Sequence, residues 1–224
     1  MIDSMNSYNI VNLYKKRSEK FTERTVSMLE CKNFAEDYNK EIDGFHLNLL
    51  EIGCEECSAA EETLDFSASL ADEYMLLSDG IYSAVLTSFY HLWERDIKDL
   101  CKRLLQYHPV EEDSKRVTEK MLQNYKYHKV KELIIFWGAE ESFFDGVNLL
   151  RLIVNTIKHS SGSSAAELLK NNSRYYYKLA MLCNLEIGDF QKDDEALMLS
   201  IDDLKYWGMV LSTFWEDLGR KIFI

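Results

Sequence analysis

The sequence predicts an all-α protein, an antiparallel helical bundle with additional N- and C-terminal helices. Three observations carry that prediction. Nine glycines and a single proline, Pro109, leave few breakers in 224 residues. Strand-like alternation is scarce, while apolar residues recur at three- and four-residue spacing over long stretches. The segment Val147 to Gly162, VNLLRLIVNTIKHSSG, separates into two faces when wound at about 100° per residue. Asn148, Arg151, Asn155, Lys158 and His159 fall within an arc of about 100°, and Leu149, Leu150, Ile153, Val154 and Ile157 fill the opposite side.

In chain order, residues 1 to 14 show no clear amphipathic face, and order is expected to begin near Arg17. Phe21, Val26, Leu29, Phe34, Tyr38 and Ile42 then recur at helical spacing, with Gly44 as a candidate break. Ile52 to Phe66 is acidic and poor in apolar anchors, and reads as a connector holding at most a short helix. A long helix from Ser67 to Tyr107 follows, its stripe built from Leu76, Val85, Phe89, Leu92, Trp93, Ile97, Leu100 and Leu104, with Gly80 as a candidate interruption. Pro109 holds His108 away from helical geometry and closes it.

Ser114, Val117 and Met121 start a further helix that runs to Trp137 and stops at Gly138. After the central helix, Ser163 or Ser164 can cap a short helix over Ala165 to Leu169, with Glu167 placed to return the cap. Asn171 to Ala196 joins a tyrosine run (Tyr175, Tyr176, Tyr177) to an acidic loop. Ser200 to Ile224 opens on Ser200, Asp202 and Asp203 and carries Leu204, Trp207, Val210, Leu211, Phe214 and Leu218 as a clean amphipathic face. Residues 1–66 are expected to form a helical extension packed as one unit with a domain over 67–224.

A formal charge of −12 favours solubility and argues against a broad surface that clamps a nucleic-acid backbone, while leaving room for a local basic stripe. The segment MIDSMNSYNI has neither a basic leader with an apolar core nor an Arg-rich amphipathic pattern, and no apolar run approaches the ~18 residues of a membrane span. A cytoplasmic protein without a membrane partner is expected. Five dispersed cysteines suit reduced thiols better than a disulfide framework.

Most chemistry-bearing residues read as structural. Cys54 and Cys57 have half-zinc-site spacing, but no second pair exists, and Glu55 and Glu56 would raise a thiol pKa. His46, His91, His108 and His128 form no metal-ligand pattern, so neither a metal nor a cofactor is expected. Trp93, Trp137, Trp207 and Trp215 sit among aliphatic residues, as core packing requires. The stripe remains. A histidine near a guanidinium suits phosphoryl-transfer chemistry without metal, since imidazole moves protons and the fixed charge stabilises a crowded phosphorane. Asn155 and His159 are one turn apart; Arg151 and His159 are two turns, about 12 Å, apart. The plainer alternative is that Lys158 and His159 complement the helix C-terminus while Arg151 pairs with an acidic neighbour.

LLRLIVNTIKHSSGSSAAELL at 149–169 resembles the Arg…Asn-x-x-Lys-His…Gly segment of a bacterial branch of the HEPN superfamily, helical domains common in toxin-antitoxin and abortive-infection modules. SFYHLWERDIKDLCKRLL at 88–105 is similar to the aromatic helix that packs beside it. The resemblance implies a HEPN-type bundle, and, in many members, metal-independent ribonuclease activity. It implies His159 as the proton-transfer group, Arg151 as a phosphate stabiliser and Asn155 as the orienting polar residue. Lys158 would supply further positive charge, with Asn148 on the substrate-binding side. The sequence departs from the family signature in placing seven residues between Arg151 and His159 and Val154 before Asn155. Homodimerisation through this helix is also implied, with RNA as substrate and an antitoxin or other protein as partner. The alternative is an inactive HEPN-fold dimer that binds a nucleotide, an RNA or a protein.

Overall fold

The computed structural model describes residues 4–30, 34–107, 126–160, 162–171, 173–183, 185 and 199–222. Among the described residues there are eight α-helices, one 3-10 turn and no strand. They are α1 (Ser4–Glu30), α2 (Phe34–Glu51), α3 (Glu56–Tyr107), α4 (Tyr127–Phe136), the 3-10 turn Glu141–Phe144, α5 (Asp145–His159), α6 (Ser163–Lys170), α7 (Arg174–Cys183) and α8 (Ile201–Ile222). No helix among them is long and apolar enough to cross a membrane.

The core lies where α1, the second half of α3, α5 and α8 meet. Trp93, Phe89 and Ile97 of α3, Leu150 and Ile153 of α5, and Trp207 and Trp215 of α8 are fully buried. Aromatic edges meet faces across the elements: Phe214 stands 5.4 Å from Trp93 and 5.3 Å from Phe144, both near perpendicular. Such pairs add about 0.5–1.5 kcal/mol each beyond their buried area.

Helix boundaries differ from the sequence-based expectation at several points. Helix α1 begins at Ser4, well before Arg17, because its apolar side has a partner: Val11 and Tyr14 are buried in the main core, and Lys15 reaches Glu216 of α8 at 2.8 Å. The short apolar stripe at the start of α1 suffices once α8 lies against it. The stretch Ile52–Phe66 is mostly helical from Glu56 onward, because it packs on α2 and a narrow row, the buried Ala59 with Thr63 and Phe66, suffices for that contact. Helices α2 and α3 also run through Gly44 and Gly80; a single glycine costs about 1 kcal/mol against alanine, which long flanks absorb.

Helix α4 stops at Gly138, whose φ of +104° is the left-handed geometry a terminating glycine supplies. The expected start of this helix at Ser114, the Pro109 stop and the acidic loop after Leu185 lie outside the described residues. Gly162, and not a serine side chain, stands at the N-cap of α6. Helix α3 runs unbroken through residue 67, and α1 shares the core of the later helices.

Close approach of α1 and α8 depends on Gly208. A Cβ there would lie 2.4 Å from the Thr22 side-chain tips and 2.9 Å from its Cβ, so the helices themselves would have to separate. Gly208→Ala is expected to destabilise the fold by about 1–3 kcal/mol despite its higher helix propensity. A urea-denaturation midpoint at or above that of the parent would contradict the packing.

Candidate functional site

Helix α5 is built as the sequence pattern requires. Val147, Leu150, Leu152, Ile153, Val154 and Thr156 are buried, Asp145 lies in the first turn and Lys158 and His159 in the last, each charge complementing the helix dipole. Its opposite face carries the polar stripe, which the packing divides among three environments.

Arg151 and Asn148 form the first. The guanidinium donates from Nε and Nη2 to Asn148 Oδ1 at 3.1 and 3.0 Å, and lies 5.0 Å over the Tyr127 ring of α4. This cation–π contact holds the arginine along the helix. Burial pushes the Tyr127 hydroxyl well above its ordinary pKa, with the Arg151 charge pulling the other way, so Tyr127 stays neutral and donates to the Phe144 carbonyl at 3.4 Å.

Lys158 belongs to the second. Its Nζ lies 2.8 Å from Nε2 of His91 on α3, whose Nδ1 lies 3.1 Å from Glu94 Oε2; Lys98 reaches Glu94 Oε1 at 3.2 Å. An ammonium has only donors, so Nε2 is the acceptor in this contact and Nδ1 is the ring nitrogen that faces Glu94. His91 and Glu94 also border an open cleft of about 370 Å³ shared with Arg17, Arg95, Asp96, Lys98, Asp99 and Lys102. Within it, burial pushes the Asp96 carboxyl above the usual range, against the pull of Arg17 and Arg95, which both pair with it.

Asn155 and His159 form the third. Together with Thr156, Ser160, Gly162, Ser163, Ser164 and Ala165 they line a cleft of about 300 Å³ between the end of α5 and the start of α6. His159 is exposed and Asn155 half-buried. Ser160 turns the chain with φ 54° and ψ −105°, a geometry rarely taken by a residue with a side chain, while its N–H still bonds the Thr156 carbonyl at 2.8 Å. Thr156 is almost fully buried, and its Oγ1 has no hydrogen-bond partner among the described residues. The first backbone N–H groups of α6 come next in the chain, a place where helix ends favour anions.

Of the five stripe residues, the packing brings Asn155 and His159 to one cleft and turns Asn148 and Arg151 to α4 and Lys158 to α3. His91 is a neighbour of the stripe that the sequence does not reveal. Its signal, His91 three residues before Glu94 on a helix, gives no hint of Lys158, which is 67 positions away and meets it only through the packing of α5 on α3. Among the described residues no group of three or more His, Cys, Asp or Glu is placed to hold a metal ion. Compared with known proteins, the chain matches no family model, no curated protein and no solved structure.

Proposed function

We propose that this is a HEPN-like cytoplasmic protein that cleaves RNA without metal at the cleft between α5 and α6, as a homodimer in a bacterial defence or toxin-antitoxin setting. The observation that carries the reading is the convergence on one cleft of an exposed His159, Asn155 one turn before it and the start of α6. The resemblance of residues 149–169 to the HEPN motif supports the same assignment.

In this reading the RNA 2′-hydroxyl attacks the adjacent phosphorus, the bond to the 5′-oxygen breaks, and a 2′,3′-cyclic phosphate and a free 5′-hydroxyl result. His159 is the proton-transfer group, and Asn155 orients it or the phosphate by hydrogen bonding. The N–H groups at the start of α6 stabilise the charge that grows on the non-bridging oxygens. Arg151 and Lys158, already bonded to Asn148 and His91, contribute as outlying positive charge along the RNA path. Because the chain as a whole is acidic, RNA binding should be modest and fall steeply with salt.

The test is incubation of the purified protein with total RNA and tRNA in EDTA, with the new ends analysed. Fragments carrying 2′,3′-cyclic phosphate are expected; cleavage that appears only on adding a divalent metal would overturn the mechanism. A second reading, an inactive HEPN-fold dimer that binds RNA, a nucleotide or a partner protein, is favoured by the internal commitments of Arg151 and Lys158. It predicts that Arg151→Glu weakens RNA binding or dimerisation severalfold although the parent cuts nothing. Binding and assembly unchanged by that substitution would remove it.

A further inference from the structure

The first half of α3 and the whole of α2 form an antiparallel two-helix arm apart from the main core. Helix α2 packs along α3, and the buried residues between them, Leu49, Ala59 and Leu70, lie outside the core cluster. The interhelical row is well made: Phe45 stacks on Phe66 at 4.2 Å, His46 Nδ1 meets Thr63 Oγ1 at 3.0 Å, and the Tyr38 hydroxyl donates to the Ser67 carbonyl at 3.0 Å. The arm is therefore a built element with outer faces of its own.

Two features of those faces stand together. Leu47, Leu50 and Leu64 are 59, 38 and 69 % exposed. At about 100° per residue, Leu50 and Leu64 each lie roughly a quarter-turn from the interhelical row. Because antiparallel neighbours wind in opposite senses, both fall on the same side of the arm, with Leu47 next to them. Charge is just as segregated. Residues 34–76 contain twelve Asp and Glu against one Lys and no Arg, so this stretch carries −11 of the chain's formal −12. The remaining 181 residues are nearly neutral.

We propose that this face of the arm docks a Lys/Arg-rich amphipathic helix of a partner protein. The exposed leucines supply the apolar contact of helix-on-helix recognition, and the exposed Asp43, Glu51 and Glu61, which lie within about 60° of a leucine on their own helices, choose the sign of the partner's rim. The same charge argues against the other occupants, since a second arm, an RNA or an anionic membrane would each be repelled across the short range left by physiological salt. From Glu56 to Leu76 the arm is about 30 Å long at 1.5 Å per residue, which suits a partner helix of about 20 residues. This inference does not depend on the activity proposed for the cleft.

The probe is a fluorescent 20-residue Lys/Leu peptide with leucines at three- and four-residue spacing, titrated into the full chain at physiological salt. A scrambled peptide of the same composition and a Glu/Leu analogue serve as comparisons. Micromolar binding by the amphipathic Lys peptide alone is expected, weakened at least tenfold by the charge-neutral triple change Leu47→Ser, Leu50→Ser, Leu64→Ser. Asp43→Lys with Glu51→Lys and Glu61→Lys should weaken it as much, whereas Glu132→Lys with Glu140→Lys and Glu167→Lys, an equal charge change elsewhere, should alter it less than twofold. These side chains are exposed, and circular dichroism of each variant should match the parent. Equal binding of the scrambled peptide, or equal loss from both charge triples, would reduce the effect to net charge and overturn the proposal. So would a serine triple that binds like the parent, or one that instead abolishes self-association or RNA binding.

Discussion

Asp203→Ala should lower the unfolding free energy by about 3–5 kcal/mol, the cost of removing one member of a buried ion pair and leaving the other behind. Asp203 is 3 % exposed and is the point where α7 is tied to α8. Its Oδ2 accepts from Lys178 Nζ at 2.6 Å and from the Ser200 N–H and hydroxyl at 2.9 and 3.0 Å, while its Oδ1 accepts from the Tyr175 hydroxyl at 3.2 Å. The Asp203 N–H in turn donates to Ser200 Oγ at 3.3 Å, a reciprocal cap on the first turn of α8. Alanine would strand the Lys178 ammonium, which is itself buried, and release several donors at once. Burial also pushes the Tyr175 hydroxyl up to about 12, so the ring cannot replace the lost negative charge near neutral pH. Urea denaturation followed by far-ultraviolet dichroism and tryptophan fluorescence should show one transition at a lower midpoint, with Asp203→Asn in between. A loss below about 1 kcal/mol would mean that solvent reaches Lys178 and that the pair is not sequestered.

His159→Ala should reduce RNA cleavage by about 10²–10⁴-fold, the usual contribution of one positioned proton-transfer group, while leaving stability nearly unchanged. His159 is exposed at the last position of α5 and lines the cleft, so its loss removes chemistry and little packing. Lysine or arginine in its place should not restore the rate, because a fixed cation cannot both take and return a proton. His91→Ala is the internal comparison. His91 bonds Lys158 and Glu94 and does not line the His159 cleft, so its loss should change RNA affinity more than the cleavage rate of bound RNA.

Much of the bundle was legible because helix signals were strong where they had to be. The Ser200 cap with Asp203 three residues later announced α8, and the alternation of Leu150, Ile153 and Val154 with Arg151 and Asn155 announced α5. Elements that misled were those whose apolar side is narrow. Val11 and Tyr14 read as isolated residues until α8 covers them, and Ala59 with Thr63 does not look like a buried row until α2 supplies Leu49 and His46. At the cleft, Asn155 and His159 were recognisable as one turn apart. The division of the stripe was not, because helical spacing places side chains on a face without saying which neighbour each will meet. Tyr127 takes Arg151, and His91 takes Lys158, through contacts between helices distant in sequence.

The most direct measurement is single-turnover cleavage of end-labelled RNA in EDTA by the parent and by His159→Ala at equal concentration, with both proteins shown by denaturation to be equally folded. The parent is expected to cut to cyclic-phosphate ends and the variant to be slower by about 100-fold or more. Equal rates for the two proteins, or a parent that cuts only when divalent metal is supplied, would contradict the mechanism.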